Sequence, residues 1–512
     1  MNVGSLLPRH ARYRGEHLAL VCDDTRLTYA ELAARVNRLA NGLLSLGLRK
    51  GDKLAVVVPN CVEVLETYWA AIQIGVVLVP LSPLLRGAAL ASLLRDSDCV
   101  AVVLGDAIAD EVMSVRGELP GIREASLIKV GGPRREGFQD YAALVALQSA
   151  DAPSPVHIGD DDLFNIVYSS GTTGTPKGIV HTHHIRAMYC ALFASTWRMT
   201  PDSVVMHAGS LVFNGAFVTL MPALFLGATY VLLPRFDAVE FIETVAREAV
   251  THVMMVPSQI IAVMNAPNFS ATKLASLQML GSVGAPLHRE HKDRLTSALP
   301  GIFYELYGLT EGVITILDKD DVATKAGSVG GAQPFFEMRI CGEDGKDVPA
   351  GEIGEIVGRS PFLMPGYYKR PDLTADAIRD GWMFTGDMGY LDDDGFLYLV
   401  DRKKDLIISG GVNVYPKDIE EVVVTHPDVI EAAVFGIPSE KWGEAPMGAV
   451  VLRLGAVITA SALKSWVNER VSARYQRLCD VVIVAEFPRN AAGKTLKRLM
   501  RDEYWKDRAA QI

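Results

Sequence analysis

Short apolar segments alternate with helical segments along much of this sequence, and the alternation sets strong limits on the fold. Thr28-Tyr-Ala-Glu31 has the form of a capping box and opens a helix whose apolar residues recur at helical spacing as far as Gly47. A strand at 54–58, a helix at 62–74 and a strand at 76–81 follow. The same rhythm returns at 230–233, 238–250 and 252–256. Continuously apolar strands suit a parallel sheet covered on both faces, so the sequence predicts a large α/β domain.

A chain of 512 residues is too long for one ordinary core, and two or more domains are expected. The Gly- and Pro-rich stretch from Gly351 to Asp387 contains the alternating pattern Glu-Ile-Gly-Glu-Ile-Val at 352–357, which predicts strands of a small β subdomain. The charge run Asp401-Arg-Lys-Lys-Asp405 then separates residues 1–401 from a C-terminal α+β part, residues 405–512. Helices at 416–424 and 460–473 and strands at 431–437, 447–454 and 481–487 are expected there.

Composition and charge exclude several classes of protein. The 49% hydrophobic and 21% charged residues are typical of a soluble globular enzyme, and the net charge of −10 disfavours nucleic acid or an acidic membrane as the main partner. Six cysteines without a Cys-x-x-Cys pair indicate reduced thiols, and the polar N-terminus lacks a signal-peptide core. We therefore expect a cytoplasmic protein.

The segment from Ser210 to Pro234 carries no charged residue and is long enough to cross a bilayer. Pro222 and Gly227 interrupt it, and its apolar character changes from helical to β-rich at Gly227. The sequence instead predicts a buried helix at 216–226, a strand at 228–233 and no transmembrane segment.

The loop Tyr168-Ser-Ser-Gly-Thr-Thr-Gly-Thr-Pro-Lys-Gly178 follows an apolar strand and has the composition of a phosphate-binding loop. Its glycines allow close backbone approach to a ligand, its hydroxyls donate hydrogen bonds, and Lys177 adds a positive charge. It lacks the spacing and the Gly-Lys-Ser/Thr ending of the nucleotide-binding P-loop. A flexible Ser/Gly/Thr linker is the alternative, although the strand before the loop and the Pro-Lys-Gly after it disfavour that interpretation.

Three histidines just after this loop, at 181, 183 and 184, invite a zinc site. Their spacing lacks the i, i+4 pair of a helical metal site, and no nearby cysteine completes a ligand set. We expect residues of a loop or of a helix start.

Two further stretches carry candidate site residues. Tyr307-Gly-Leu-Thr-Glu311 places an aromatic ring, a hydroxyl and a carboxylate within five residues, which suit adenine stacking, phosphate binding and Mg²⁺ binding, respectively. Asp387 closes a Thr-Gly-Asp triplet, and its carboxylate can accept hydrogen bonds from both ribose hydroxyls. Without further support, an exposed turn explains either stretch.

Together with Val180-His-Thr-His183, the loop Ser169-Ser-Gly-Thr-Thr-Gly-Thr-Pro-Lys-Gly178 resembles the signature of the adenylate-forming superfamily, which includes acyl-CoA synthetases, nonribosomal-peptide adenylation domains and beetle luciferases. The resemblance covers nearly the whole chain, with five motifs in the expected order. It implies that the loop wraps the β and γ phosphates of ATP. The implied ATP- or AMP-binding residues are Ser169, Ser170, Gly171, Thr172, Thr173, Gly174, Gly284, Ala285, Pro286, Tyr307, Asp387 and Arg402.

The resemblance also implies roles for the C-terminal part. Lys404 falls at the pivot of a hinge, residues 402–404, about which the small domain moves. Gly410 and Gly411 match the loop that lines the pantetheine tunnel, and Lys494 matches the lysine that stabilises charge on the reacting carboxylate and α-phosphate. Gln476 and Lys497 depart from the common Lys and Arg, which affects expected CoA or C-terminal contacts and not adenylation. Four residues are accordingly the catalytic candidates, with Glu311 also the metal ligand: Lys494, Thr310, Glu311 and Lys177.

The acyl pocket is expected around Phe213, Asn214 and Gly281. By the resemblance, an aromatic residue at 213 acts as a gate near the carboxylate. Amino-acid-activating relatives carry an aspartate at position 214 that pairs with the substrate ammonium, and a neutral asparagine cannot form that pair. A fatty or aryl acid is therefore expected, and an amino acid is disfavoured.

The implied reaction uses ATP, Mg²⁺ and coenzyme A to convert a carboxylic acid into acyl-AMP and then acyl-CoA. The alternatives are an acyl-AMP ligase that loads a carrier protein, a luciferase-like oxygenase and a non-catalytic ATP- or acyl-binding regulator. The expected partners are small molecules, with no nucleic acid. The sequence leaves open a homodimer, and it does not identify the acid.

Overall fold

The computed structural model of the chain describes residues 1–169, 176–325, 327–402, 405–410, 412–489 and 495–506. Within these ranges the strands form four sheets. The α-helices, in chain order, are Leu6–Tyr13, Tyr29–Ser45, Val62–Gln73, Gly87–Asp96, Ala109–Ser114, Tyr141–Ala146, His183–Thr196, Asn214–Leu226, Ala238–Glu248, Pro257–Met264, Arg289–Ala298, Pro371–Ala377, Pro416–Val423, Ala460–Asn468 and Lys497–Trp505.

The seven-stranded sheet carries the predicted phosphate loop between its last two strands. Six of its strands are parallel, and the edge strand that follows the loop is antiparallel to the strand that precedes it. In spatial order they are Gln139–Asp140, Leu127–Val130, Cys99–Gly105, Lys53–Val57, Val77–Pro80, Leu163–Ser169 and Lys177–Thr182.

The nine-stranded sheet has six parallel strands in its centre and antiparallel strands at both edges. In spatial order its strands are Gly331–Ala332, Ile314–Leu317, Phe303–Gly308, Met279–Val283, His252–Met255, Val204–His207, Thr229–Leu232, Leu18–Cys22 and Thr25–Thr28. The largest core cluster contains side chains from this sheet, from the seven-stranded sheet and from the helices that both sheets cover. These two sheets confirm the predicted α/β class.

The helix Tyr29–Ser45 forms for the reasons read from the sequence. Thr28 accepts a hydrogen bond from the Glu31 amide while the Glu31 carboxylate accepts one from the Thr28 amide, which is the predicted capping box. Its apolar residues at 32, 36, 39 and 43 are buried. Gly47 follows with φ of +86°, a conformation that suits glycine at the end of a helix.

The uncharged segment after Ser210 is a buried helix, Asn214–Leu226, followed by the strand Thr229–Leu232. Gly227 ends the helix with φ of +73°. None of the helices among the described residues is both long enough and apolar enough to cross a membrane. The helix-then-strand prediction is confirmed.

A five-stranded sheet lies between the two large sheets and the C-terminal part in sequence. Its strands are Glu337–Cys341, Gly354–Arg359, Trp382–Leu391, Ile378–Arg379 and Leu397–Arg402. The predicted alternation at 352–357 is only partly right, because the strand begins at Gly354 and Ile353 is exposed. Asp387, for which an exposed turn is the alternative to ribose binding, lies within the longest strand of this sheet.

The C-terminal sheet consists of Val412–Val414, Ile407–Ser409, Gly443–Leu452, Val429–Ser439 and Asp480–Ile483. Its helix Ala460–Asn468 is shorter than the predicted 460–473. Residues 469–473 form turns and bends, and the Asn468 side chain hydrogen-bonds both backbone groups of Leu478. This part contacts the large domain through Glu421, which accepts a hydrogen bond from His288 Nδ1 at 2.9 Å. The boundary at residues 402–404 stays a prediction.

Candidate active site

The predicted phosphate loop leaves the seven-stranded sheet between two antiparallel neighbours. Ser169 ends one strand and pairs in register with Lys177, which begins the next. The loop residues Ser170, Gly171, Thr172, Thr173 and Gly174 lie outside the described residues. The structure therefore describes the base of the loop, where the half-buried Lys177 begins the strand that follows it.

Tyr367 connects Lys177 to the predicted metal ligand. Its phenol donates a hydrogen bond of 2.8 Å to Glu311 Oε1, and Lys177 Nζ lies 4.8 Å from the centre of its ring. Burial, and then the charge of Glu311, raise the pKa of the Tyr367 phenol, so it remains a proton donor at neutral pH. The turn that carries Glu311 is thereby fixed beside the exit of the phosphate loop.

Tyr367 was not among the sequence candidates. The sequence signal that could have identified Tyr367 is the Pro-Gly-Tyr-Tyr run at 365–368, in which a turn-forming pair precedes two aromatic residues. In the structure the glycine of this run has positive φ. The significance of the run depends on a bridge between Ile179 and Tyr367 that joins distant parts of the chain.

Tyr307 and Asp387, predicted to bind adenine and ribose, are brought together. The Tyr307 phenol donates a hydrogen bond of 2.8 Å to Asp387 Oδ2. Asp387 lies after Gly386, whose φ is +71°, and its backbone pairs with that of Arg402. An aromatic face and a carboxylate in contact suit a nucleoside, whose base stacks and whose hydroxyls donate.

The Gly284-Ala-Pro286 segment forms an exposed turn directly after the strand Met279–Val283, and Gly284 has φ of +91°. The next amide, that of Leu287, donates to Glu305, whose carboxylate forms a buried ion pair with Lys292. This pair fixes the end of the turn against the strand Phe303–Gly308 that leads to Tyr307.

Gly281 lies in the middle of the same strand and leaves room for a neighbouring side chain. A Cβ added there would come within 2.6 Å of the Met254 methyl carbon and 2.7 Å of its sulfur. A larger residue at Gly281 would therefore have to displace Met254, a flexible and polarizable side chain.

Phe213 and Asn214 lie at the start of the helix Asn214–Leu226 and are half-buried. Asn214 Oδ1 accepts a hydrogen bond of 2.9 Å from Arg186 Nη2, and its amide donates to the Tyr189 hydroxyl at 3.2 Å. The asparagine is therefore held by two side chains of the preceding helix, His183–Thr196.

The three histidines do not form a metal site within the described residues. The expectation of loop or helix-start positions is wrong for His181, which is a buried residue of the strand Lys177–Thr182 and lies 2.8 Å from the Thr310 carbonyl oxygen through Nε2. His183 is the first residue of the next helix, as expected. Burial, and then the Arg186 charge, lower the pKa of His181 well below its ordinary value, so its ring is neutral.

The carboxylate of Glu311 suits a Mg²⁺ ion held mainly by substrate phosphates, because Mg²⁺ at nucleotide sites commonly takes one or two protein carboxylates. Glu311, half-buried beside the base of the phosphate loop, supplies one such carboxylate.

On the C-terminal side, the structure describes only part of the predicted set. Gly410 has φ of +60°, and its amide donates to the Trp442 carbonyl oxygen at 2.7 Å. A Cβ there would meet the Trp442 ring at 2.9 Å. Lys404, Gly411 and Lys494 lie outside the described residues, as does the side chain of Arg402.

Gln476 and Lys497, the two residues that depart from the common pattern, both contact the helix Pro416–Val423. Lys497 forms an ion pair of 2.6 Å with Glu420, and Gln476 donates to Asp418 at 3.4 Å. Both side chains therefore make contacts within the C-terminal part.

Two models of known protein families match the two parts of the chain. Residues 7–368 match the family model described as AMP-binding enzyme, and residues 418–494 match that described as AMP-binding enzyme C-terminal domain. The chain is 35% identical over 515 residues to the long-chain-fatty-acid–CoA ligase FadD13 of Mycobacterium tuberculosis, covering 98% of each. It is also 35% identical over 506 residues to a feruloyl-CoA synthase of Amycolatopsis sp., covering 98% of this chain and 99% of that one.

Among solved structures, the ATP-bound MatB from Rhodopseudomonas palustris superposes with a TM-score of 0.90 at 31% identity, covering 99% of each chain. The similarity therefore extends through the whole architecture and beyond the individual motifs.

Proposed function

The chain belongs to the AMP-binding enzyme family, and we propose that it activates a carboxylic acid with ATP and transfers the acyl group to coenzyme A. In the first step a carboxylate oxygen attacks the α-phosphorus of ATP, the bond to pyrophosphate breaks, and acyl-AMP forms. In the second step the CoA thiol attacks the acyl carbonyl and AMP leaves. The two curated relatives described above carry the names of CoA ligases, which supports this reaction.

The observation that carries the proposal is the tethering of one short turn at both of its ends. Residues 307–311 are bonded to Asp387 through Tyr307 and to Tyr367 through Glu311. One end of this turn suits a nucleoside, and the other, beside Lys177, suits phosphates and Mg²⁺. A turn held in this way positions ATP, and positioning with charge neutralisation is what this chemistry needs.

Roles for individual residues follow as proposals. Lys177 and Thr310 contact the phosphates, and Glu311 holds a Mg²⁺ ion, which neutralises phosphate charge when bound. Asp387 accepts from the ribose, with Arg402 as a neighbour, and Lys494 stabilises the charge that develops between carboxylate and α-phosphate. Residues 1–401 bind ATP and the acid, while residues 405–512 turn about the 402–404 hinge to bring first Lys494 and then the loop of Gly410 and Gly411 to the reaction centre.

For the acid, we infer an aliphatic or aryl substrate without an α-amino group. Asn214 is neutral and has no charge to pair with a substrate ammonium, and both of its amide atoms are already engaged by Arg186 and Tyr189. A long-chain-fatty-acid–CoA ligase and a feruloyl-CoA synthase are equally similar to the chain, so sequence identity does not distinguish a fatty acid from an aryl acid as the substrate.

The test is acid-dependent exchange of labelled pyrophosphate into ATP over a panel of fatty, aryl and amino acids, followed by CoA addition and analysis of products. The expected result is exchange with a fatty or aryl acid and release of acyl-CoA and AMP. If acyl-AMP accumulates in the presence of free CoA and is consumed only when a carrier protein is added, the acceptor is the carrier protein and not CoA. The absence of exchange and AMP release with every acid would contradict the enzymatic proposal.

A further inference from the structure

Arg186 is a fully buried cation that the reaction described above does not use. Its side chain is 0% exposed, and its guanidinium lies against the rings of Phe217, Tyr189 and Phe164 at 4.3, 4.7 and 5.8 Å. Burial lowers its pKa to about 10, so it is protonated at neutral pH. Among the described residues it forms no ion pair with a carboxylate. A buried guanidinium without a carboxylate disfavours folding, so its hydrogen bonds are candidates for a functional role.

The guanidinium is hydrogen-bonded to three acceptors on different elements. Asn165 Oδ1 lies 3.4 Å from Nε and 3.1 Å from Nη2, and the two hydrogens of Nη2 can serve Asn214 Oδ1 at 2.9 Å and His181 Nδ1 at 3.0 Å. These acceptors lie on the strand before the phosphate loop, on the helix at the predicted acyl pocket and on the strand after the loop. One side chain therefore joins three segments that surround the candidate site.

The contact with His181 fixes the chemistry of the imidazole. An arginine nitrogen donates and has no lone pair to accept, so His181 Nδ1 must be the unprotonated nitrogen. The proton of the neutral ring is then on Nε2, which donates to the Thr310 carbonyl oxygen at 2.8 Å. A hydrogen-bonded chain thus runs from Asn214 through Arg186 and His181 to the peptide that precedes Glu311.

We propose that Arg186 is a positioning residue that couples the acid-binding end of the site to the turn that binds Mg²⁺ and phosphate, acting on the turn through His181. This inference rests on the proposed function for the identity of the two ends. Arg186 holds the Asn214 amide at the pocket, and His181 holds the Thr310 peptide so that Glu311 and the Thr310 hydroxyl face the phosphates. Neither Arg186 nor His181 contacts substrate in this arrangement.

The test uses His181→Leu, His181→Gln, Arg186→Met and the double variant Arg186→Met/His181→Leu. The matched control is His252→Leu, since His252 is also a buried histidine whose Nε2 lies 2.9 Å from a backbone carbonyl oxygen, that of Trp197, but it is outside the site. Calorimetry measures binding of the methylene analogue of ATP with Mg²⁺. Pyrophosphate exchange separates KM for the acid from KM for ATP, and thermal melting reports lost stability.

His181→Leu is expected to weaken binding of the ATP analogue about fivefold, the effect of one lost hydrogen bond, with KM for the acid unchanged. His181→Gln keeps a donor toward Thr310 and an acceptor toward Arg186, and it should restore binding to within about twofold. Arg186→Met should raise both KM values. The double variant should bind the analogue no more weakly than His181→Leu, because both changes act on the turn through one ring.

Equal effects of His181→Leu and His252→Leu, failure of His181→Gln to restore binding, or multiplicative losses in the double variant would each overturn the coupling. The calorimetric measurement needs no acid, so it decides this proposal even if no acid supports exchange. An unaltered protein that does not bind the ATP analogue would overturn both proposals.

Discussion

The phenol of Tyr307 donates a hydrogen bond of 2.8 Å to the carboxylate of Asp387, 80 residues further along the chain. The hydrogen bond joins the nine-stranded sheet to the five-stranded sheet, because Tyr307 lies on a strand of the first and Asp387 on a strand of the second. The expected nucleoside site is thus held between two sheets, and its two parts can be tested separately.

Asp387→Ala should weaken ATP binding by about 100-fold, since it removes charge-assisted acceptors for two hydroxyls. Tyr307→Phe keeps the ring face and loses only the hydroxyl, and it should weaken binding by no more than about fivefold. Titration calorimetry with ATP measures both. Unchanged affinity in Asp387→Ala would rule out ribose binding by this carboxylate.

Tyr367→Phe should reduce acid-dependent pyrophosphate exchange about threefold to tenfold and raise the Mg²⁺ concentration needed for half-maximal rate, because Glu311 loses a hydrogen-bond donor. The neighbouring Tyr368 provides the control. Its hydroxyl donates to Asp98 at 2.9 Å, away from Glu311, so Tyr368→Phe should leave the rate within about twofold. Equal losses in the two variants would show that the Tyr367 hydroxyl acts only on stability.

Asn214→Asp should not create an enzyme that activates amino acids. The new carboxylate would lie within hydrogen-bonding distance of Arg186 Nη2 and pair with the buried guanidinium instead of a substrate ammonium. Exchange with amino acids should stay at background in Asn214→Asp, and any gain should be confined to the double variant with Arg186→Met. Amino-acid-dependent exchange in the single variant would contradict this account.

Lys494→Ala and Gly410→Ala should impair different steps. Loss of Lys494 should slow acyl-AMP formation by about 100-fold or more, as for one lost oxyanion-type donor, while supplied acyl-AMP is still converted to acyl-CoA. Gly410→Ala places a Cβ 2.9 Å from the Trp442 ring at positive φ, and it should slow the second step. Gly455→Ala is the control, because Gly455 has φ of +85° with no heavy atom within 4 Å of the added Cβ.

Rapid-quench kinetics measure each step separately, and Gly411→Leu provides a second change in the same loop. These rates decide whether the C-terminal part moves between the two steps as proposed. Equal slowing of both steps by Lys494→Ala and by Gly410→Ala would contradict it.

Stability should fall as the pH decreases from about 6.5 to about 4. Burial lowers the pKa of His183, His207, His252 and His291 from the ordinary 6.5 to about 4. The unfolded chain then binds more protons than the folded chain between these pH values, so the free energy of unfolding rises with pH there, by up to about 3 kcal/mol per imidazole. Below about pH 4 this loss is complete.

Melting temperatures measured from pH 7 to pH 4 test this expectation. His252→Gln removes one of the four imidazoles and keeps a donor toward the Trp197 carbonyl oxygen, so its melting temperature should depend less steeply on pH. An unchanged slope would show that His252 does not contribute.

Much of the fold could be predicted because its signals are local. The capping box at Thr28, the stop at Gly47 and the change of apolar type at Gly227 each depend on a few adjacent residues, and all three are observed. Element ends were less accurate. The helix predicted to reach 473 ends at Asn468, whose side chain hydrogen-bonds the backbone N–H and C=O of Leu478, a contact that helical spacing does not reveal.

The α/β class, the phosphate-loop composition and the individual candidates Lys177, Tyr307, Glu311 and Asp387 could be identified from residue type and local spacing. Which side chains meet depends on the three-dimensional packing. Tyr367 contacts Glu311 from 56 residues away, and His181 contacts Thr310 from 129 residues away. Such contacts depend on how the sheets and turns pack together, and no local pattern encodes that packing. For the same reason Arg186, a lone charge in a helical segment, gave no signal until burial placed it beside Asn214 and His181.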